Sequence, residues 1–244
     1  MNSRRLKNRW FSIPSLALAL SLALPIHAAE VELREFTAGY DLYKAGMHVG
    51  TAELSLEPAG QLWRWRLLTQ ARGIYAVFVN KKPFSETLFS REQGKILLQS
   101  IDIKDQGKEK RSESARFDWQ AGQLNTQRKG KERQFPLTGE VYDYQSIHLL
   151  TAAMQLGGED ERTVDFYRKG KLTQATLTYT GTETITLGDR EIETRVYRHV
   201  NRKSKTVLRY FYEAGQELVP VMIENRRGDD KPAIFRLREV DWRL

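Results

Sequence analysis

From Phe36 onward the chain is a succession of β-rich runs, each about eight to twelve residues long and punctuated by glycine-containing turns. That spacing restricts the fold more than any other feature. FTAGYDLYK turns through Ala45, Gly46 and Met47 into HVGTAELSLEP, an opening hairpin that ends at Pro58, Ala59 and Gly60. In WRWRLLTQA, Trp63, Trp65, Leu67 and Ala71 share one face while Arg64, Arg66 and Gln70 take the other, the period-2 pattern of a half-buried strand. Further strands are expected at ILLQSIDIK, SARFDWQ and QLNTQRK, the last two joined by a turn at Ala121 and Gly122.

The second half continues the pattern. From Ala175 to Leu187, the threonines Thr176, Thr178, Thr180, Thr182, Thr184 and Thr186 lie opposite Leu177, Tyr179, Ile185 and Leu187, a strand whose polar face is β-branched throughout. Gly188 and Asp189 form a two-residue turn into REIETRVYRHV, with Ile192, Val196 and Val200 on one side. TVLRYFYE, the run from Leu218 to Glu224, and AIFRLREVDW complete a meander; Pro220 predicts an edge strand or a bulge.

One segment departs from period 2. Asp143 is placed to cap a helix from Tyr144 to Leu156, which Gly157 and Gly158 stop. Winding it puts Ile147, Leu149, Leu150, Ala152, Ala153, Met154 and Leu156 round most of its girth and leaves His148, Thr151 and Gln155 as a narrow polar strip. A helix so apolar is buried on several sides. The expected fold is therefore mainly β: a single curved antiparallel sheet, a half-barrel or open barrel, wrapped around one buried helix. The short segment Gly73 to Val79 fits helix or strand equally.

The first ten residues carry Arg4, Arg5, Lys7 and Arg9 and no acid, and an apolar stretch from Ile13 to Leu24 follows before Pro25. Those 12 residues are too few for a span, which needs about 20. The segment reads as a secretory signal cleaved after Ala28, giving a periplasmic location and a single β-rich domain over residues 29–244. The remaining 216 residues can bury roughly 70% of their chain surface. Removing residues 1–28 lowers the net charge from +8 to +4. The chain has no cysteine, so disulfides, a lipid-anchoring cysteine and thiolate chemistry are excluded.

AGMHVGTAELSLE, GKILLQSIDIKDQGKEKRSESARFDWQAGQL, VYDYQSIHLL, LVPVMIENRRG and IFRLREV, in that order, resemble the exported bacterial family known as domain of unknown function 3108. The likeness spans nearly all of residues 29–244, and its most distinctive local piece is Tyr142, Asp143 and Ser146. That family implies no activity. More remotely, a curved sheet closing over a helix is similar to the periplasmic lipoprotein carrier and receptor fold, which implies an acyl-binding concavity; fold alone does not fix function.

Catalytic constellations are missing from the sequence. There is no Gly-x-Ser-x-Gly elbow, no phosphate-cradling glycine loop and no HExxH pair. His48, His148 and His199 fall in different elements, without metal-ligand spacing. Asp143, Ser146 and His148 invite a triad, but Asp143 and Ser146 stand where helix-capping oxygens are wanted, and that simpler role is preferred. No catalytic residue, metal or cofactor is expected.

The basic runs Lys108 to Arg111, Arg128 to Arg133, Arg168 to Lys171 and Arg202 to Lys205 fall at turns. They read as solvated loop tips; a functional role would be contact with anionic lipid head groups, with Arg128, Lys129, Lys131 and Arg133 as the basic patch. Nucleic acid is not an expected partner, because stacking aromatics are not interleaved with the cations. Trp63, Trp65 and Met154 are ordinary core residues unless the sheet wraps incompletely, when they would line an apolar groove. The leading expectation is a non-enzymatic protein that binds lipid or another apolar ligand, or maintains the envelope. Alternatives are a scaffold for an envelope protein partner, using edge strands near Pro220 and the basic turns, and, last, an envelope hydrolase.

Overall fold

The computed structural model describes residues 31–73, 83–105, 112–201 and 204–243. The expected signal segment, residues 74–79 of the undecided segment, and the basic run from Lys108 to Arg111 lie outside the described residues.

Among the described residues the chain forms fifteen strands and one helix. The strands of the first half are β1 (Phe36–Lys44), β2 (Met47–Ala59), β3 (Leu62–Ala71), β4 (Pro83–Glu92), β5 (Lys95–Asp105), β6 (Glu113–Asp118), β7 (Gln123–Arg128) and β8 (Lys131–Pro136). The short β9 (Val141–Tyr142) leads into helix α1 (Ile147–Gly157). Then come β10 (Glu161–Arg168), β11 (Lys171–Leu187), β12 (Arg190–Asn201), β13 (Thr206–Glu213), β14 (Met222–Arg227) and β15 (Ala233–Trp242).

All fifteen belong to one sheet, in the order β8-β7-β6-β5-β4-β3-β2-β1-β15-β14-β13-β12-β11-β10-β9. Two meanders thus run outward from a central antiparallel pair, β1 with β15, in which Phe36 lies opposite Trp242. The sheet wraps α1, and Ile147, Leu149, Leu150, Ala152 and Met154 share one buried cluster with Phe36, Leu54, Trp65, Phe89, Leu98, Leu177 and Tyr210 of the strands. The open, helix-filled sheet expected from the strand spacing is present.

Two-residue turns set the strand pairing. At the β4–β5 turn both Gln93 (φ 52°) and Gly94 (φ 78°) have positive φ, the geometry whose twist matches that of the flanking strands and that favours glycine at its second position. This fixes Arg91 opposite Ile96 and Glu92 opposite Lys95.

Among the described residues the sheet's edges are not joined by a backbone ladder. Instead β6 and β7 meet the β10–β11 turn through side chains. Gly170 N donates to Glu113 Oε1 at 3.0 Å, Thr126 Oγ1 donates to Gly170 O at 3.3 Å, and Arg128 Nε lies 2.7 Å from Glu113 Oε2. Nearer β9, Thr138 Oγ1 donates to Asp165 Oδ2 at 3.4 Å. Gly170 has φ +67°, and a Cβ there would stand 3.0 Å from Arg128 Cβ. Glycine is required on both counts.

Three local expectations change. The helix begins at Ile147, not Tyr144, because residues 144–146 form turns around the Asp143 side chain. Pro220 precedes β14, which is an interior strand, so it does not mark an edge; its carbonyl accepts a hydrogen bond from Tyr40 Oη at 2.9 Å. The main core takes Tyr197 from β12, with His199 and Asn201 buried on the same side, whereas Val196 faces a second cluster with Phe211 and Val221. The register of β11 against β12 shifts between Tyr179 and Thr182. Tyr179 therefore packs on the main core, while Ile185 and Leu187 pack on the second cluster.

Gly170→Ala is expected to cost about 1 to 2 kcal/mol, seen as a lower urea midpoint at unchanged slope. Gly94→Ala, whose new Cβ meets nothing within 4 Å, should cost less.

Candidate functional site

The helix is seated by a buried carboxylate. Asp143 Oδ1 accepts from Gln145 N (3.1 Å), Ser146 N (2.7 Å) and Ser146 Oγ (2.7 Å), and Asp143 Oδ2 accepts from Thr87 Oγ1 of β4 (2.5 Å). Ser146 Oγ in turn accepts from Asp143 N at 2.8 Å. Gln145 adds a second tie to β4, accepting from Ser85 Oγ (2.8 Å) and donating through Nε2 to Ser85 O (3.0 Å). The buried amides of the turn that leads into the helix are thereby satisfied and the helix is pinned to one strand. The Tyr142, Asp143 and Ser146 cluster has a structural account.

This seating turns the helix's polar strip inward. His148 is 2% exposed and its Nδ1 pairs with Tyr212 Oη at 2.7 Å. Its ring lies 5.8 Å from Trp65 and 5.2 Å, edge on, from Tyr210. His199 pairs through Nδ1 with Tyr210 Oη at 3.3 Å and packs edge on against Phe166 at 4.7 Å. Burial, then the neighbouring His199, pushes His148 down to about 3; burial, then the Arg168 charge, pushes His199 down to about 4. Both are neutral near pH 7. Since Ser146 Oγ bonds Asp143 and His148 bonds Tyr212, the three residues do not form a nucleophile-and-base pair.

Beside the C-terminal half of α1 a cavity of about 620 Å³ opens at one mouth of the sheet, within the range of small-molecule sites. Its apolar wall is Val31, Leu33, Ile96, Leu149 and Ala153. Arg91 and Lys95, from either side of the β4–β5 turn, and Arg162 supply cations, against a single lining acid, Glu140. Arg162 Nε donates to Glu159 Oε1 at 2.9 Å, and Glu140 Oε1 accepts from Tyr142 Oη and Ile96 N, each at 3.3 Å. Burial holds the Arg91 guanidinium below its ordinary range.

The residues singled out from sequence lie elsewhere. Trp65 and Met154 are fully buried in the core, Trp65 packing edge on against Phe36 at 5.4 Å, while Trp63 is half-buried against the same core. Lys129, Lys131 and Arg133 are exposed on the β7–β8 hairpin, but Arg128 is half-buried in the ion pair with Glu113. The mouth residues come from five separate stretches of chain, and sequence periodicity alone does not single them out. The usable signal is local: a Gln-Gly turn pairs Glu92 with Lys95 and then Arg91 with Ile96, which brings Arg91 beside the apolar wall. Among the described residues no group of three or more His, Asp or Glu is placed to hold a metal, and no helix is long and apolar enough to cross a membrane.

The fold and this site define an unclosed, barrel-like sheet around a buried helix, with one amphipathic mouth. Residues 37–229 match the family described as protein of unknown function (DUF3108), and the chain belongs to that family. Among solved structures it is similar to the β-barrel-like protein of domain of unknown function DUF1849 from Brucella abortus, at 8% identity and a TM-score of 0.57, over 87% of this chain and 99% of that one. That likeness is one of fold alone. A protein with a YmcC-like fold from Bacteroides fragilis matches at 8% identity and a TM-score of 0.30, over 87% and 98% of the two chains. The MucA/MucB complex of Pseudomonas aeruginosa matches at 10% identity and 0.18, over 86% and 89%. The last two similarities are too low to carry an argument. No curated protein matches the sequence.

Removing the buried acceptor by Asp143→Ala is expected to cost at least about 3 kcal/mol in chemical denaturation. Asp143→Asn, whose side-chain carbonyl still accepts, should cost less. The two histidines bind protons in the unfolded chain near pH 6.5 but in the folded one only near pH 4 and 3. Their contribution to stability is therefore complete above about pH 6.5 and is lost as the pH falls through that window. Melting curves at stepped pH should show the decline, and His148→Phe should flatten it.

Proposed function

We propose that the protein is an exported, non-enzymatic envelope protein that binds an apolar or amphiphilic ligand, lipid foremost, at the mouth beside α1. On this reading the signal segment is cleaved after Ala28 and residues 29–244 act in the periplasm as one domain. The observation that carries the proposal is the cavity's composition: an apolar wall contributed by helix and strands, continuous with a cationic rim. A pocket of this size with a continuous apolar wall suits a small ligand held in large part by burial of its surface. The buried neutral histidines fit a packed interior that stabilises the fold. The groove expected along Trp63, Trp65 and Met154 is relocated by this proposal to the other surface of the helix end, where side chains leave space.

The test has two parts. Protein purified from the periplasm is extracted with organic solvent and the extract read by mass spectrometry for lipid. Binding of a lipophilic fluorescent dye is then compared between the wild type and Ala153→Trp, which fills the cavity from a half-buried position. The expected result is a copurifying lipid and a loss of at least about tenfold in dye affinity, equivalent to about 1.4 kcal/mol, with the melting temperature little changed. A blank extract together with no dye binding would overturn the proposal.

A second reading, contact with another envelope protein, is favoured by the open β8 edge, whose Lys131 and Arg133 are exposed. Crosslinking in cells checks it: reversing Lys129, Lys131 and Arg133 should abolish a specific adduct. Arg128 is left intact in that variant because it holds Glu113.

A further inference from the structure

The two turns that meet across the open edges of the sheet share one sequence. Arg128-Lys129-Gly130-Lys131 joins β7 to β8, and Arg168-Lys169-Gly170-Lys171 joins β10 to β11. In both, the central lysine and glycine have positive φ, 54° and 71° in the first turn and 52° and 67° in the second. We propose that these paired turns form one cationic surface that seats the protein on the phosphate head groups of an anionic bilayer.

Two turns of like charge repel each other, yet here they are locked together. Glu113, buried at the start of β6, accepts from Gly170 N at 3.0 Å and lies 2.7 Å from Arg128 Nε, and a Cβ on Gly170 would stand 3.0 Å from Arg128 Cβ. Joining the edges uses Glu113, Thr126, Arg128 and Gly170, whereas Lys129, Lys131, Lys169 and Lys171 stay exposed. Edge closure therefore does not account for the lysines. The crowding registers on Lys169, whose ammonium is held below its ordinary range by Arg168 first, then by desolvation and the charges of Arg128 and Arg227. Residues 128–133 and 168–171 together with Glu113 carry seven cations and two acids, a net +5, while residues 29–244 as a whole carry +4. The excess positive charge of the chain is thus gathered at this pole, and the remainder is slightly acidic.

Such a pole is drawn to anionic lipid within a Debye length of the surface. The residue types favour a bilayer over a protein. Lysine is depleted at protein interfaces, where aromatic residues are enriched, and neither turn contains an aromatic residue. Lysine is also a compact point charge with no fixed fork to match, which suits a mobile array of phosphates. β5 runs from Lys95 at the mouth to Ile103, which pairs with Glu113, and β10 runs from Arg162 at the mouth to Arg168. The paired turns therefore lie at the far end of the strands, and a molecule seated by them directs its mouth away from the membrane.

Cosedimentation of the full mature chain with vesicles provides the test, comparing phosphatidylglycerol mixed with phosphatidylcholine against phosphatidylcholine alone. The wild type should bind the anionic vesicles at least about tenfold more tightly, and high salt should remove the difference. In the variant carrying Lys129→Gln, Lys131→Gln, Lys169→Gln and Lys171→Gln, binding should fall to the phosphatidylcholine level at an unchanged melting temperature. Neutralising either turn alone should remove part of the preference. Dye binding at the mouth should remain that of the wild type, so the two proposals fail separately. Equal binding of both vesicles by the wild type, a preference that survives the fourfold substitution, or its complete loss on neutralising one turn overturns the inference. Tighter binding of polyglutamate than of anionic vesicles assigns the surface to an acidic protein and overturns it as well.

Discussion

The structure depends on one buried carboxylate. A helix that is apolar round most of its girth has no preferred orientation inside a sheet, because hydrophobic contact is non-directional. Asp143 supplies the missing direction by accepting from the Gln145 and Ser146 amides of the turn that leads into the helix and from Thr87 on β4, which sets both the start of α1 and its depth. Everything downstream on the helix inherits that setting. His148 meets Tyr212, Leu150 and Met154 fill the core, and Leu149 with Ala153 form one wall of the mouth.

Around this fixed element the sheet distributes its polarity by face. Outward, Arg64 and Arg66 of β3 stand between Glu57 and Glu86 of the neighbouring strands, and Arg209 stands between Glu183 and Glu224. Such half-buried pairs at a sheet surface contribute modestly to stability individually, yet they keep a broad sheet face hydrated. Inward, Asp143, His148 and Glu113 each meet a hydrogen-bonding partner. At the mouth, cations and hydrocarbon line one cavity.

Much of the fold was legible because strands and helices impose different periods. The alternation in Trp63, Trp65 and Leu67 placed Trp65 inward, and the apolar wrap of residues 147–156 placed the helix inside. What escaped had specific causes. Period 2 put Ile192, Val196 and Val200 on one side of β12 but could not say which side meets the main core: Val196 packs on a smaller second cluster, and Tyr197 is buried in the main one. Pro220 resembled an edge signal because its missing amide is costly inside a strand, and the chain avoids that cost by starting β14 two residues later. The mouth could not be read because it is a product of curvature: residues 31–33, 91–96 and 149–157 become neighbours only once the sheet has wrapped the helix.

The central pairing of β1 with β15 has a consequence for the order of assembly. The strands at the middle of the sheet are those farthest apart along the chain, so a polypeptide emerging amino end first can form its lateral hairpins early but cannot join the two halves until the last strand is free. Until then two half-sheets exist, each with an unpaired inner edge, at β1 or at β14. The interval before β15 arrives is when the protein is most exposed to mispairing with a neighbour.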